Sequence, residues 1–526
     1  MSSCKKMRIH EQSGSVLLNV PDPFAICELI PNSSQLLKHP EFNLAVEHGV
    51  ETTRLLANLG YTVPSAALNG YDWPGKYTPF DHQREMADFL CSHPRAFNLS
   101  EMGTGKTAGT LWAADALMKA GEVRRAVILS PLSTIDRVWK HDIFDVLMHR
   151  HAVVVHGTRD YRMRMLKVKA DFYIINHDGV MIEELADHIR RRKDIDLIIV
   201  DEASMFRNRG TRKYKQLVKM IREDTRLWLL TGTPCPNAPT DAWALARLIA
   251  PQRVPTFYSE FERLTMRKVS RFKWRPAEGS FDIAYNAMQP AVRFKKADCL
   301  DLPPVTYQDR ECSLTKEQLK AFDYMRSVMV AEMEDQKIMA VNAADKVGKL
   351  RQILCGAVKN PETEEYVPLP HGPRLSVLLE CIEEAAAKVI VIVPFKGIIQ
   401  FLAEEVSKHH SVAIVNGDVP PRQRDEIFRK FKQEPDPHVL LCHPKVMAHG
   451  LNLTEADTLI FYAPIYSNDE FQQVTERFNR AGQTRKMSII KIGAHKLEWQ
   501  IYDVVDRKKA TQENILNLYK AVVNGD

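Results

Sequence analysis

The chain has 526 residues, of which 45% are hydrophobic, 26% charged and 8% aromatic. It is too long for one hydrophobic core and has the composition of a soluble globular protein of two to four domains. No run approaches the roughly 18 apolar residues of a membrane span, and the opening MSSCKKMRIHEQSG lacks the apolar segment and cleavage site of a secretory leader. Nine scattered cysteines with no CxxC pair point to reduced thiols in an intracellular protein, and away from structural zinc. A net charge of +6 from 72 basic and 66 acidic residues permits a nucleic-acid partner without arguing for one.

In chain order, residues 1–75 carry Pro-punctuated short strands such as SVLLNV and one helix-like stretch, which predicts a small α+β region. Residues 76–245 then alternate helical stretches with the apolar runs AVIL (126–129), VVV (153–155), FYII (172–175), LIIV (197–200) and LWLL (227–230). Runs of this kind are buried parallel strands with both faces covered. From 246 to 370 the strand signal fades and the text turns helical and charged. A second series follows in 371–526: VIVIV (389–393), VAIV (412–415), VLL (439–441), LIFY (459–462) and SII (488–490). The expected fold class is α/β, with two lobes in tandem and helical inserts around 246–370.

FNLSEMGTGKTAGTLWAADAL follows an expected strand and opens a helix. Gly103 and Gly105 let the backbone wrap phosphates, with the helix N-terminus supplying positive potential. Lys106 would reach the terminal phosphates and Thr107 would place its hydroxyl on Mg²⁺; Met102 and Thr104 complete the loop. Position 100 is Ser where the strict pattern has Gly, and a chance Gly-rich turn is the competing reading. LIIVDEAS sends Asp201 and Glu202 out of the C-terminal end of a buried strand, where α/β proteins bind ligands. Asp201 would hold the Mg²⁺ shell and Glu202 would orient and deprotonate water, although an acidic pair there could also be a helix cap. Gln83, about 20 residues before the loop, would read the adenine edge. Together these residues read as an ATPase site.

EMGTGKT, PLSTIDRVW, DEAS, LLTGTPCPNAPTDAW, VMAHGLNLTEAD and QQVTERFNRAGQ occur in the order of the motifs of superfamily 2 helicases. The chain resembles the Swi/Snf-related branch of DNA translocases, which includes chromatin remodellers and annealing helicases, over roughly residues 76–510. The resemblance implies two RecA-like lobes with ATP in the cleft between them. The first would supply Gln83, Gly103, Gly105, Lys106, Thr107, Asp201 and Glu202. The second would supply Gly450, Asn452, Gln473, Arg477 and Arg480, the two arginines reaching the γ-phosphate so that hydrolysis depends on closure. On helical spacing alone Gln473, Arg477 and Arg480 share one face, which a solvated basic surface would equally explain. The sequence departs from the family at Ser204, where His is common, and at Lys445, where a small hydroxyl residue is frequent.

The resemblance also implies double-stranded DNA tracked through phosphate contacts, with Ser133, Thr233, Lys445 and Asn452 at the motif positions; binding would be sequence-independent and salt-sensitive. Two basic stretches, RNRGTRKYK (207–215) and MRKVSRFKWRP (266–276), suggest further contacts, specifically Arg271, Lys273 and Trp274, with solvated charged helices as the alternative. Residues 1–75 loosely resemble the substrate-recognition domain of annealing-helicase relatives, or are a cap packed on the first lobe. The expected protein is a monomeric motor with ATP and Mg²⁺, acting on duplex or branched DNA and not on a membrane, of the compact bacterial or tailed-phage kind. A strand-separating DNA or RNA helicase and an ATP-gated scaffold without processive movement remain as alternatives.

Overall fold

The short apolar runs fold as parallel strands, most of them buried on both faces, the arrangement that removes any need for polar alternation, while the edge runs at 152–154 and 412–415 are largely half-buried. The computed structural model describes residues 7–10, 13–61, 63–232, 234–235, 238–270, 273–299, 303–334, 340–359, 366–447, 453–479, 483 and 485–506. Two units divide the chain, Met1–Cys299 and Leu300–Asp526.

The first unit begins with β1 (Met7–His10), β2 (Ser15–Leu18), β3 (Ser33–Gln35) and β4 (Leu44–Glu47), an antiparallel sheet in the order β1-β2-β4-β3. Alternate residues of β2 and β4 (Val16, Leu18, Leu44, Val46) join Ile26 and Leu56 from two helices in a small core of their own. The helix Pro23–Leu29 starts where Asp22 accepts a hydrogen bond from the Ala25 N–H at 3.0 Å, with Pro at the first position, the arrangement that satisfies an orphan donor and fixes φ. The connection to the rest of the unit is stitched down. Tyr71 donates to the buried carboxylate of Asp115 at 2.6 Å, the Trp112 indole N–H donates to Pro74 O at 2.9 Å, and Lys76 N–H donates to Asp145 O at 2.8 Å.

The main sheet of this unit contains β5 (Arg95–Asn98), β6 (Ala126–Ser130), β7 (Ala152–Val154), β8 (Phe172–Asn176), β9 (Leu197–Val200) and β10 (Arg226–Leu230). Beyond it come an antiparallel hairpin, β11 (Met266–Ser270) with β12 (Lys273–Pro276), and then β13 (Ala291–Val292), which returns to the sheet. The order is β13-β5-β10-β9-β6-β8-β7 and every pairing in it is parallel. Val127, Leu129, Ile198 and Val200 pack into one apolar layer and Ala126, Ile128, Leu197 and Ile199 into the other. Each fully buried Val, Leu or Ile side chain among them contributes roughly 1.5–3 kcal/mol.

The second unit opens on β14 (Val305–Glu311), followed by the hairpin of β15 (Ala357–Lys359) and β16 (Tyr366–Pro368). Then come β17 (Lys388–Ile392), β18 (Val412–Val415), β19 (Val439–Cys442), β20 (Ala456–Phe461) and β21 (Met487–Gly493). Its parallel sheet runs β14-β21-β20-β17-β19-β18, again with alternate residues such as Val389 and Ile390 in opposite layers. The two parallel sheets and their helices have the α/β, RecA-like character expected from the two strand series. The segment 246–370, expected to be helical, contains helices such as Tyr258–Thr265, Lys316–Glu334 and Ala340–Cys355 but also the six strands β11 to β16. Those strands are short, exposed or at a sheet edge, and so lack an apolar signature.

A buried ion pair ties two helices of the second unit together. Arg374, in Gly372–Glu383, donates to the Glu498 carboxylate of Lys496–Asp506 and to Tyr462 O at 2.5 Å, and Glu498 also accepts from Ala494 N–H at 2.8 Å. Burial alone would lower the Arg374 pKa, but Glu498 beside it holds the guanidinium well above its ordinary value.

Candidate functional site

The C-terminal ends of β5, β10 and β9, neighbours in the sheet, deliver the expected nucleotide residues to one edge of the first unit. After β5 the loop turns through Gly103 (φ 83°) and Gly105 (φ 75°), left-handed conformations that favour glycine. Gly105 caps the helix Lys106–Lys119. A Cβ on Gly105 would stand 1.9 Å from Gln83 Nε2, so the loop needs glycine both for its φ and for the approach of that side chain. Lys106 Nζ donates to Ser100 O at 2.8 Å. Ser100 has a reason to replace glycine: its buried hydroxyl accepts the Phe294 N–H at 3.2 Å and fastens the start of the loop to the segment after β13. Thr104, almost fully buried, donates to Glu101 O at 2.8 Å, and its own carbonyl meets His82 Nε2 at 2.8 Å. Met102 and Thr107 are half-buried in and just after the loop.

Gln83 is buried, and both ends of its amide are engaged: Oε1 accepts from Phe80 N–H at 3.0 Å and Nε2 donates to Gly105 O at 3.4 Å. In this structure it braces the glycine loop, and reading an adenine edge would require releasing one of those bonds.

Asp201 and Glu202 leave the end of β9. One Asp201 oxygen accepts the indole N–H of Trp139 at 2.9 Å and the other the Glu202 N–H at 3.0 Å, while Asp201 O meets His177 Nε2 at 2.8 Å. Burial holds the His177 pKa below its ordinary value, keeping the ring neutral. Glu202 has φ 45° and ψ 51°, left-handed for a residue with a Cβ. Outliers of this kind cost about 1–3 kcal/mol and concentrate at functional sites. From β10, Gly232 lies so close to the loop that a Cβ there would be 3.3 Å from Lys106 Nζ and 3.6 Å from Met102. Three strand ends therefore converge on a lysine, an acidic pair and a helix N-terminus, a set of groups that fits a nucleoside triphosphate. Among the described residues no group of three or more His, Cys, Asp or Glu could hold a metal ion. Thr107 and Asp201 offer the one or two oxygens that Mg²⁺ takes from protein when phosphates and water supply the rest.

Trp139 and His177 were not singled out by sequence. Trp139 lies inside PLSTIDRVW, on a stretch wound as a π-helix over Ile135–Lys140, an irregularity that recurs at functional sites. Nothing in the text around His177 marks it. Ser204, the departure from the family pattern, is buried, and its carbonyl accepts from Arg207 Nη1 at 3.0 Å.

In the second unit, Ser467 caps the helix Asn468–Phe478 by accepting from Glu470 N–H at 3.1 Å, and Phe471, Val474 and Phe478 bury its apolar face. Gln473 and Arg477, one turn apart, are half-buried on another face. The helix ends at Phe478 with Asn479 extended, and of the three positions expected to share a face, Gln473 and Arg477 lie on it among the described residues. Arg480, Gly450, Asn452 and Thr233 lie outside the described residues, as does Arg271, and for Ser133 and Lys273 only the backbone is described. Gln483 is buried and donates to Ala456 O at 2.9 Å, anchoring the end of the arginine motif to the sheet. Lys445 is exposed on the short helix Pro444–Met447.

The basic stretch 207–215 is largely absorbed within the unit. Lys213 pairs with Asp178 at 2.8 Å, Arg207 with Asp241 at 3.8 Å, and Arg209 lies over the Tyr258 ring at 4.7 Å. Trp274, by contrast, is 40% exposed on β12. No helix of the described residues is long and apolar enough to cross a membrane.

Residues 82–360 match the SNF2-related domain and residues 373–482 the Helicase conserved C-terminal domain. The putative protein p41 of Acyrthosiphon pisum secondary endosymbiont phage 1 is 24% identical over 84% of this chain and 99% of its own length. An uncharacterized ATP-dependent helicase of Mycoplasma genitalium is 23% identical over 80% of this chain, which spans only 40% of that relative. The Sulfolobus solfataricus SWI2/SNF2 ATPase core in complex with dsDNA aligns with a TM-score of 0.41 and 20% identity, covering 86% of this chain and 95% of that one. With the SNF2-related match spanning more than half of its length, the chain belongs to the SNF2-related family of helicase-like ATPases.

Proposed function

We propose that this chain is a DNA-stimulated ATPase that moves along duplex or branched DNA to remodel it or to displace bound protein. The observation that carries the reading is the convergence of Lys106, Gly232 and the Asp201–Glu202 pair at adjacent strand ends of one sheet. In it Lys106 binds the terminal phosphates, Asp201 and Thr107 hold Mg²⁺, and Glu202 takes the proton of the attacking water. Mg²⁺, when bound, supplies charge neutralisation on the phosphate oxygens. Arg477 and Arg480 supply planar, doubly donating charges for the γ-phosphate, a contribution worth about 10³ to 10⁵ in rate for such arginines. DNA is the polymer that the motif set of this family favours, held through its phosphates by the motif loops that include Ser133, Thr233, Lys445 and Asn452. Action inside a cell, on chromosomal or phage DNA, is part of the same reading.

ATP turnover measured with no nucleic acid, single-stranded DNA, duplex DNA, forked DNA and RNA tests it, with Lys106→Ala as the inactive control. Duplex or forked DNA is expected to stimulate most. Stimulation by single strands or RNA alone would favour strand separation, and turnover indifferent to every polymer would favour a gated scaffold. Arg477→Ala and Arg480→Ala are each expected to lose nearly all hydrolysis while nucleotide binding changes less; near-normal turnover in either removes that arginine from the role.

A further inference from the structure

We propose that the β11–β12 hairpin docks the unpaired strand at a DNA branch, stacking a base on Trp274 and holding the adjoining phosphates with Arg267, Lys268 and Arg275. The inference rests on the reading of the chain as a DNA motor and specifies which DNA it prefers. Three observations carry it. First, of the hairpin's described side chains only Met266 is even half-buried: Arg267, Lys268, Val269, Trp274, Arg275 and Pro276 are all exposed, on both of its faces. A lone two-stranded hairpin in that condition is marginal at best, and nothing in its own packing accounts for it.

Second, its register sets like charges against each other. Arg267 pairs directly with Arg275 and Lys268 with Trp274. Because side chains alternate between faces, the two arginines share one face and the lysine and indole the other, so cations stand on both. No acidic residue occurs between Met266 and Pro276. Directly opposed like charges weaken a strand pair, and a polyanion threaded along the hairpin removes that repulsion.

Third, the exposed indole has a cation beside it. Lys268 Nζ is 6.0 Å from the centre of the Trp274 ring. An aromatic face flanked by cations is the device by which proteins hold unpaired nucleotides, since every base has a face to stack and every linkage a phosphate. An intact duplex hides its base faces, so the ring distinguishes a branch from uniform duplex. An acidic protein surface would answer the charge but leave the indole unused. Arg271 and Phe272 at the turn lie outside the described residues.

The test is equilibrium binding of the full chain, without nucleotide, to a fluorescent forked duplex and to a blunt duplex of equal length. Wild type is expected to prefer the fork. Trp274→Ala is expected to weaken fork binding at least about fivefold, the lower bound for loss of one stacked base, while Trp274→Phe, which keeps a stacking face, retains most of it. Replacing Arg267, Lys268 and Arg275 by Ala is expected to flatten the salt dependence of single-strand binding by about 2 in log–log slope, near 0.7 per phosphate. A 2-aminopurine at the branch is expected to be quenched by wild type and by Trp274→Phe but not by Trp274→Ala, and Lys268→Glu gives a second variant should the triple one misfold. Unchanged fork preference in Trp274→Ala overturns the proposal, as does displacement of the fork by polyglutamate as readily as by single-stranded DNA. Absence of ATPase stimulation by both duplex and forked DNA would refute the translocase reading while leaving these nucleotide-free measurements interpretable.

Discussion

Asp201 shows how a single residue depends on neighbours that its motif does not name. Its carboxylate is held between the Trp139 indole and the Glu202 backbone, and its carbonyl by His177. Donors that orient a metal-binding carboxylate typically matter 10- to 100-fold in metal affinity or activity. Trp139→Phe, which keeps the buried ring but removes the N–H, is therefore expected to raise the Mg²⁺ concentration for half-maximal ATPase about tenfold, with little change in the thermal midpoint. An unaltered Mg²⁺ dependence would mean that the indole only packs. The loop before the helix Lys106–Lys119 is legible at this scale as a turn through two glycines in left-handed conformations, because glycines at that spacing before a helix have few other uses. Gln83 was legible as a position but not as a geometry, because a sequence does not show that both ends of its amide are already bonded. Trp139 falls inside a motif that gives it no role, since its partner is 62 residues away.

Among elements, the strands most legible in the sequence are the apolar runs β6 to β10 and β17 to β21, buried on both faces except at the edge strands β7 and β18, which are largely half-buried. β14 reads VTYQDRE and is half exposed, so its text resembles a charged loop; β13 is two residues long and has no periodicity to detect. The helix Asn468–Phe478 was legible as a helix but not in its extent, because no glycine marks its end and Asn479 simply turns extended. Contacts between elements are the least legible, as the Arg374–Glu498 pair shows: 124 residues separate two charges that would each be placed in solvent by composition. Glu498→Ala should cost about 3–5 kcal/mol in chemical denaturation by leaving a buried guanidinium unpaired. Replacing both residues by apolar ones of similar size should recover most of that loss. A Glu498→Ala variant as stable as wild type would show that the pair is solvated.

For the whole molecule, pH ties together histidines from both units. Burial holds His93, His177, His443 and His495 below their ordinary pKa. The folded chain therefore resists protonation that the unfolded chain accepts from about pH 6.5 downward. The stability these groups permit is complete above that value and is lost as pH falls through their lowered folded pKa values. Unfolding midpoints in urea are expected to drop between about pH 7.5 and 5.5, less steeply in His177→Gln, and a flat profile would contradict the assignment. The order of the second sheet carries a consequence for synthesis. Among the described residues β14 pairs with β21 alone, and the ladder extends to a bond between Cys312 and Gly493, 181 residues apart. At about 5–20 residues per second, the ribosome delivers that partner some 10–40 s after β14 has emerged. During that interval an apolar strand with open edges would recruit neighbouring nascent chains. Gln308, Asp309, Arg310 and Glu311 keep the waiting strand hydrated, so the polarity that disguises β14 in the sequence also protects the chain until β21 arrives.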